Sequence, residues 1–82
     1  MNIFPNPIHA QVTIEFYVEN EMPVEVSVTD IHGRVVYAAE KSALNAGRNQ
    51  LTFDTGNMAA GVYLCRLKKG NEMLYRKIVK LN

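Results

Sequence analysis

Gln11-Val12-Thr13-Ile14-Glu15-Phe16-Tyr17-Val18 is the stretch that decides the fold. Val12, Ile14, Phe16 and Val18 fall on one face of an extended chain, and Thr13, Glu15 and Tyr17 on the other. A hydrophobic period of two marks a strand with one buried and one wet face, the signature of an antiparallel sheet. Working outward, Val24, Val26 and Val28 alternate with Glu25, Ser27 and Thr29 in the same manner, and Asn49, Leu51 and Phe53 alternate with Gln50 and Thr52 over a shorter span.

The punctuation between these stretches is turn chemistry. Asp30-Ile31-His32-Gly33 joins Val24–Thr29 to Arg34–Ala39. Asp30 is placed to accept backbone N–H bonds as the turn opens, and Gly33 to take the positive φ of a type I turn followed by a bulge. Lys69-Gly70-Asn71 joins Val62–Leu67 to Met73–Leu81 by the same logic. Those two final strands are apolar on both faces in their middles, which predicts a place near the centre of a packed sandwich. Residues 40–48 and 54–60 read as connections, with Thr55 to Ala60 long enough for one helical turn. A short strand at Ile3-Phe4, before Pro5-Asn6-Pro7, completes the set. About seven short strands at this spacing predict an all-β, immunoglobulin-like antiparallel two-sheet sandwich. Its expected core holds Val12, Ile14, Phe16, Val26, Val28, Leu51, Phe53, Tyr63 and Val79.

A chain of 82 residues, 48% apolar and 21% charged, has room for one core and the composition of an ordinary globular domain. Residues 1–82 therefore read as a single domain. No apolar run approaches the ~18 residues of a membrane helix. Met1-Asn2-Ile3-Phe4-Pro5 lacks the basic flank and apolar core of a secretory signal, the expectation for a fragment of a larger protein.

A net charge of +1 supplies no general reason to expect nucleic acid. Its distribution is uneven. Residues 1–30 carry Glu15, Glu19, Glu21, Glu25 and Asp30 without a Lys or Arg, whereas residues 66–82 carry Arg66, Lys68, Lys69, Arg76, Lys77 and Lys80 against Glu72 alone. Either acidic and basic strands lie side by side and pair across the sheet, or a basic terminal hairpin docks on an anionic partner.

Catalytic chemistry is not legible. Cys65 has no second cysteine for a disulfide or a thiolate metal site, and in Val62-Tyr63-Leu64-Cys65 it reads as a small buried hydrophobe. His9 follows a Pro-rich turn and His32 sits at a hairpin tip, without the converging ligands or activated nucleophile that a metal or hydrolytic site needs. No Gly-rich phosphate cradle is present, and the chain has no Trp for a sugar-stacking platform. The expectation is no enzyme, no metal and no cofactor. Tyr63, after Gly61-Val62, is expected to fill the core with its hydroxyl at the rim, and Gly61 to end the preceding turn where a Cβ would be opposed.

Four features stand in order along the chain: Phe4-Pro5-Asn6-Pro7 ahead of Val12-Thr13-Ile14, then Asp30-Ile31-His32-Gly33-Arg34-Val35, then Gly61-Val62-Tyr63-Leu64, then Lys77-Ile78-Val79-Lys80. Weak singly, in this order and spacing they resemble the C-terminal sorting domain of the type IX secretion system (the Por secretion tail), carried by exported proteins of Bacteroidetes bacteria. The resemblance covers nearly the whole chain. It implies a signal rather than a machine, a folded tail on an upstream cargo domain that reaches the periplasm. There it is recognised by the outer-membrane translocon, and in many members a surface sortase removes it and attaches the cargo to the cell surface. By the same likeness Pro5, Asn6 and Pro7 mark the opening turn, Asp30, Gly33 and Arg34 the first hairpin, Gly61 and Tyr63 the central motif, and Lys77, Val79 and Lys80 a terminal recognition strand. Cys65 stands where the family more often has an aliphatic residue.

The expected location is the periplasm in transit, then the cell surface or the medium. The alternative is an immunoglobulin-like accessory or spacer module of a secreted enzyme or adhesin, which an exposed aromatic patch or a tandem array would favour. Separated from its cargo, the domain is expected to form a homodimer through Met73, Leu74, Ile78 and Leu81 on an unprotected terminal edge.

Overall fold

The alternating stretches and the doubly apolar ones all become strands. A computed structural model describes residues 1–5 and 10–81, with backbone alone for residues 42–44. It contains β1 (Asn2–Phe4), β2 (Gln11–Val18), β3 (Met22–Thr29), β4 (Val35–Leu44), β5 (Gly47–Asp54), β6 (Gly61–Lys69) and β7 (Glu72–Lys80), and no helix among the described residues. One sheet runs β1-β2-β5 and the other β4-β3-β6-β7, all neighbours antiparallel. This is the expected two-sheet sandwich. Residues 40–48 are not a long connection, because β4 and β5 extend inward to leave Asn45 and Ala46 between them. The segment after Asp54 is held as a turn, with Met58 N–H donating to Thr55 C=O at 2.9 Å.

The inward faces interlock as the period of two requires. Val12, Ile14, Phe16 and Val18 of β2 meet Val24, Val26 and Val28 of β3, and Cys65, Leu67 and Ile78 close the core from β6 and β7. Tyr37 of β4 stacks on Phe53 of β5 with ring centroids 3.8 Å apart, joining one sheet to the other. Of the expected core, Leu51 is half-buried and packs against the cluster rather than within it.

Val79 is a correction. It faces outward and is half-exposed, while its neighbour Ile78 is 1% exposed. With two apolar residues in succession, the phase of β7 had no polar partner to set it. The central placement of the last two strands is corrected too: β6 lies inside its sheet, but β7 is an edge strand, as β4 is on the other side. Their double-sided apolar pattern arises because the outward side of β6 and β7 also carries apolar residues among its charged ones. Val62, Leu64, Met73 and Tyr75 all stand exposed there.

At one end of the sandwich Lys69 ties the layers together. It is 7% exposed, its ammonium donates to Tyr17 C=O of the opposite sheet, and Glu19 and Glu72 lie 3.6 Å away on either side. Charge pairing of acidic with basic strands is thus realised locally. Glu25 also lies directly opposite Lys68 across β3 and β6.

Candidate recognition surface

The registers bring the four sequence features to one end of the molecule. Phe4 pairs with Thr13 near the start of β2, and Gln11 pairs with Asp54 at the end of β5. Antiparallel pairing of Thr29 with Leu64 and of Gly61 with Lys80 puts the Asp30 turn, the start of β6 and the end of β7 at that same end. Thr55 prolongs the β2/β5 pairing beyond Gln11 and Asp54, its N–H and Oγ1 both donating to Ala10 C=O at 2.7 and 2.9 Å. The opposite end carries the Glu19–Glu21 and Lys69–Glu72 turns. Pro5 lies at the close of β1 with a cis peptide bond before it. Asn6, Pro7 and His9 fall outside the described residues.

The Asp30 turn is closed by its own side chain. Oδ1 accepts the backbone N–H groups of His32 and Arg34 at 2.8 and 3.0 Å, and Oδ2 accepts Nε of Arg34 at 2.9 Å. Asp30 N–H donates to Arg34 C=O, and Gly33 N–H to Asp30 C=O. Gly33 has φ +84°, the positive value the turn demands. The Arg34 backbone N–H, first, and then its guanidinium and the His32 N–H hold the Asp30 carboxyl below its ordinary value, against partial desolvation. The charge of Asp30 is therefore absorbed inside the turn, and the tip presents Ile31, 76% exposed.

Tyr63 is buried, and its hydroxyl donates to Ala59 C=O four residues upstream. This is the corner device of immunoglobulin-like sandwiches, a tyrosine at the head of a strand clamping the connection that leads into it. Gly61, two residues earlier, has φ +155°. The rim position expected for the hydroxyl is thus occupied, with a defined backbone partner.

Between the turn and the sheet opens a cleft of about 190 Å³ lined by Asp30, Ile31, Val62, Tyr63, Leu64 and Lys77. Its walls are largely apolar, with the Lys77 ammonium and the turn-bound Asp30 carboxylate beside them. Lys77 is exposed and makes no ion pair with any described residue. Lys80 differs sharply: it points inward from β7 and is 7% exposed. Two lysines three positions apart on a strand must lie on opposite faces, so the pair does not form one basic surface. Cys65 is wholly buried, and burial pushes its thiol up to about 11. No group of three His, Cys, Asp or Glu side chains converges to hold a metal among the described residues.

What the fold defines is a small antiparallel two-sheet sandwich of the immunoglobulin-like class. A family model for the secretion system C-terminal sorting domain matches residues 2–81. The chain belongs to that family, whose domains are sorting signals of type IX secretion and direct export to the cell surface or beyond it. A sorting domain acts by being recognised, not by catalysis, and the accessory or spacer reading is not favoured. No curated protein matches the chain in sequence.

Proposed function

We propose that residues 1–82 act as one sorting domain behind an upstream cargo, and that the end bearing the four motifs is the surface the export machinery reads. In this reading the cargo crosses the periplasm, the outer-membrane translocon engages the motif end, and a surface sortase acts afterwards. The observation that supports it is convergence. Segments separated by most of the chain meet around one cleft, where Ile31, Val62 and Leu64 remain exposed although burial would stabilise each of them. Asp30, Gly33, Arg34, Gly61 and Tyr63 shape the cleft, Lys77 supplies its charge, and Pro5 lies at the same end. Lys80 and Val79 act indirectly, through the seating of β7.

The test is a periplasmic reporter fused ahead of this chain in a type IX host. Lys77→Glu and Ile31→Glu alter exposed side chains, so both variants should melt within a few degrees of the parent. The expected result is folded variants with the reporter retained in the periplasm. Normal export by both variants would place recognition elsewhere on the domain.

A further inference from the structure

The two outward faces of the sandwich are unlike. On the β1-β2-β5 sheet the outward residues are mostly polar, with Phe4 and Tyr17 set apart at its two ends: Thr13 and Thr52 share a hydrogen bond of 2.9 Å, and Gln50 donates to Glu15 at 3.2 Å. The β4-β3-β6-β7 face instead exposes Val35, Val62, Leu64, Met73 and Tyr75. Large apolar patches left open on a small soluble domain mark interaction surfaces.

Three cross-strand rows describe that face. Glu40, Glu25, Lys68 and Met73 form the first, Ala38, Ser27, Arg66 and Tyr75 the second, and Val35, Thr29, Leu64 and Lys77 the third. The β4/β3 half is acidic and built from short side chains. The β6/β7 half is basic and built from long ones. A trough of about 700 Å³ accordingly lies over Ser27 and Ala38, walled by Tyr75 and Arg66.

We propose that this face docks on a second copy of itself, through a two-fold axis that runs parallel to the strands between β3 and β6. Such an axis reverses strand order and keeps the rows in line. It sets Glu25 over the partner's Lys68, Ser27 and Ala38 over the partner's Arg66 and Tyr75, and Thr29 over the partner's Leu64. Acid meets base and trough meets ridge in one operation, as an isologous interface requires. A two-fold axis across the strands would set acidic strands over acidic ones, so charge selects the orientation. The free edge of β7 is the poorer contact, because Ile78 is already buried in the core and Leu74 packs against it.

Four strands about 4.8 Å apart and some eight residues long span roughly 500 Å² of sheet per copy, near the lower limit for a specific interface. The pairing is therefore weak and concentration-dependent. It covers Leu64 and Lys77, so it competes with whatever engages the neighbouring cleft.

Sedimentation equilibrium on the 82-residue domain tests this. The mass should rise from the 9.2 kDa monomer toward twice that value as concentration is raised from about 10 μM to about 1 mM. Glu25→Lys/Glu40→Lys and Arg66→Glu/Lys68→Glu should each remain monomeric, and an equimolar mixture of the two should regain the dimer mass. On the unmutated domain, amide shifts that move with concentration should map to β3, β4, β6 and β7 and leave β2 and β5 unmoved. A parent that stays monomeric at 1 mM overturns the proposal. So does a dimer that both charge variants retain, or shifts confined to β7, either of which would mean pairing by edge or strand exchange. These outcomes are read without export, so they stand apart from the sorting assay.

Discussion

Asp30 shows how much of a turn one carboxylate can specify. Its two oxygens take three donors from the next four residues, and Gly33 supplies the one dihedral the other residues resist. An ideal Cβ at Gly33 meets nothing within 4 Å, so Gly33→Val should destabilise by backbone strain alone, about 1–3 kcal/mol, measurable by urea titration. Because the folded Asp30 carboxyl is held below its ordinary value, its contribution is complete above that value and lost as pH falls through the lowered one. The difference in melting temperature between the parent and Asp30→Asn should accordingly be full at neutral pH and shrink below about pH 4. Cys65 follows the opposite logic. With its thiol raised to about 11 and no exposed surface, it should resist iodoacetamide in the native domain and react once urea unfolds it. Rapid alkylation of folded protein would contradict the buried assignment.

At the scale of the element, β7 turns on a shift of one residue. Lys77, Ile78, Val79 and Lys80 alternate out, in, out, in, so their roles divide by parity rather than by chemistry. Ile78→Ala should open a cavity and lose about 2–5 kcal/mol. Val79→Ala, on the outward side, should change stability by no more than about 1 kcal/mol. A larger loss for Val79→Ala than for Ile78→Ala in chemical denaturation would mean that the strand sits in the other register. The same parity makes Lys77→Glu a surface change and Lys80→Glu a burial problem, so only the former isolates recognition from folding. Tyr63 shows how an element is anchored at its head, since the clamp on Ala59 holds the connection from β5 against the entrance to β6.

Across the whole molecule, the two ends do different work. One is fastened by Lys69, whose ammonium reaches from β6 to Tyr17 C=O in the opposite sheet and lies between Glu19 and Glu72. Lys69→Met keeps most of the buried stem but leaves that carbonyl without its cationic donor. It should lower stability by about 1.5–3 kcal/mol in denaturant unfolding. The other end is closed by neutralised or backbone-bonded groups and leaves aliphatic side chains at its surface.

The period of two in Gln11–Val18 and Val24–Thr29 was sufficient by itself to determine strands, their buried faces and the two-sheet class, because burying one face of a sheet demands that alternation. The Asp30 turn was equally legible, its chemistry being confined to neighbouring residues. The phase of β7 was not, since Ile78 and Val79 both suit the core and only packing against β6 and the opposite sheet chooses between them. Nor could the sequence show how the two outward faces differ, or that Lys69 would cross the layers while Lys77 stood exposed. Those outcomes depend on which strands become neighbours and on how the two sheets align. Pairing Thr29 with Leu64 and Gly61 with Lys80 is what gathers three separated motifs around one cleft. Local pattern specifies the conformation of each strand, but only tertiary contacts, made between residues far apart in the chain, decide what those strands present together.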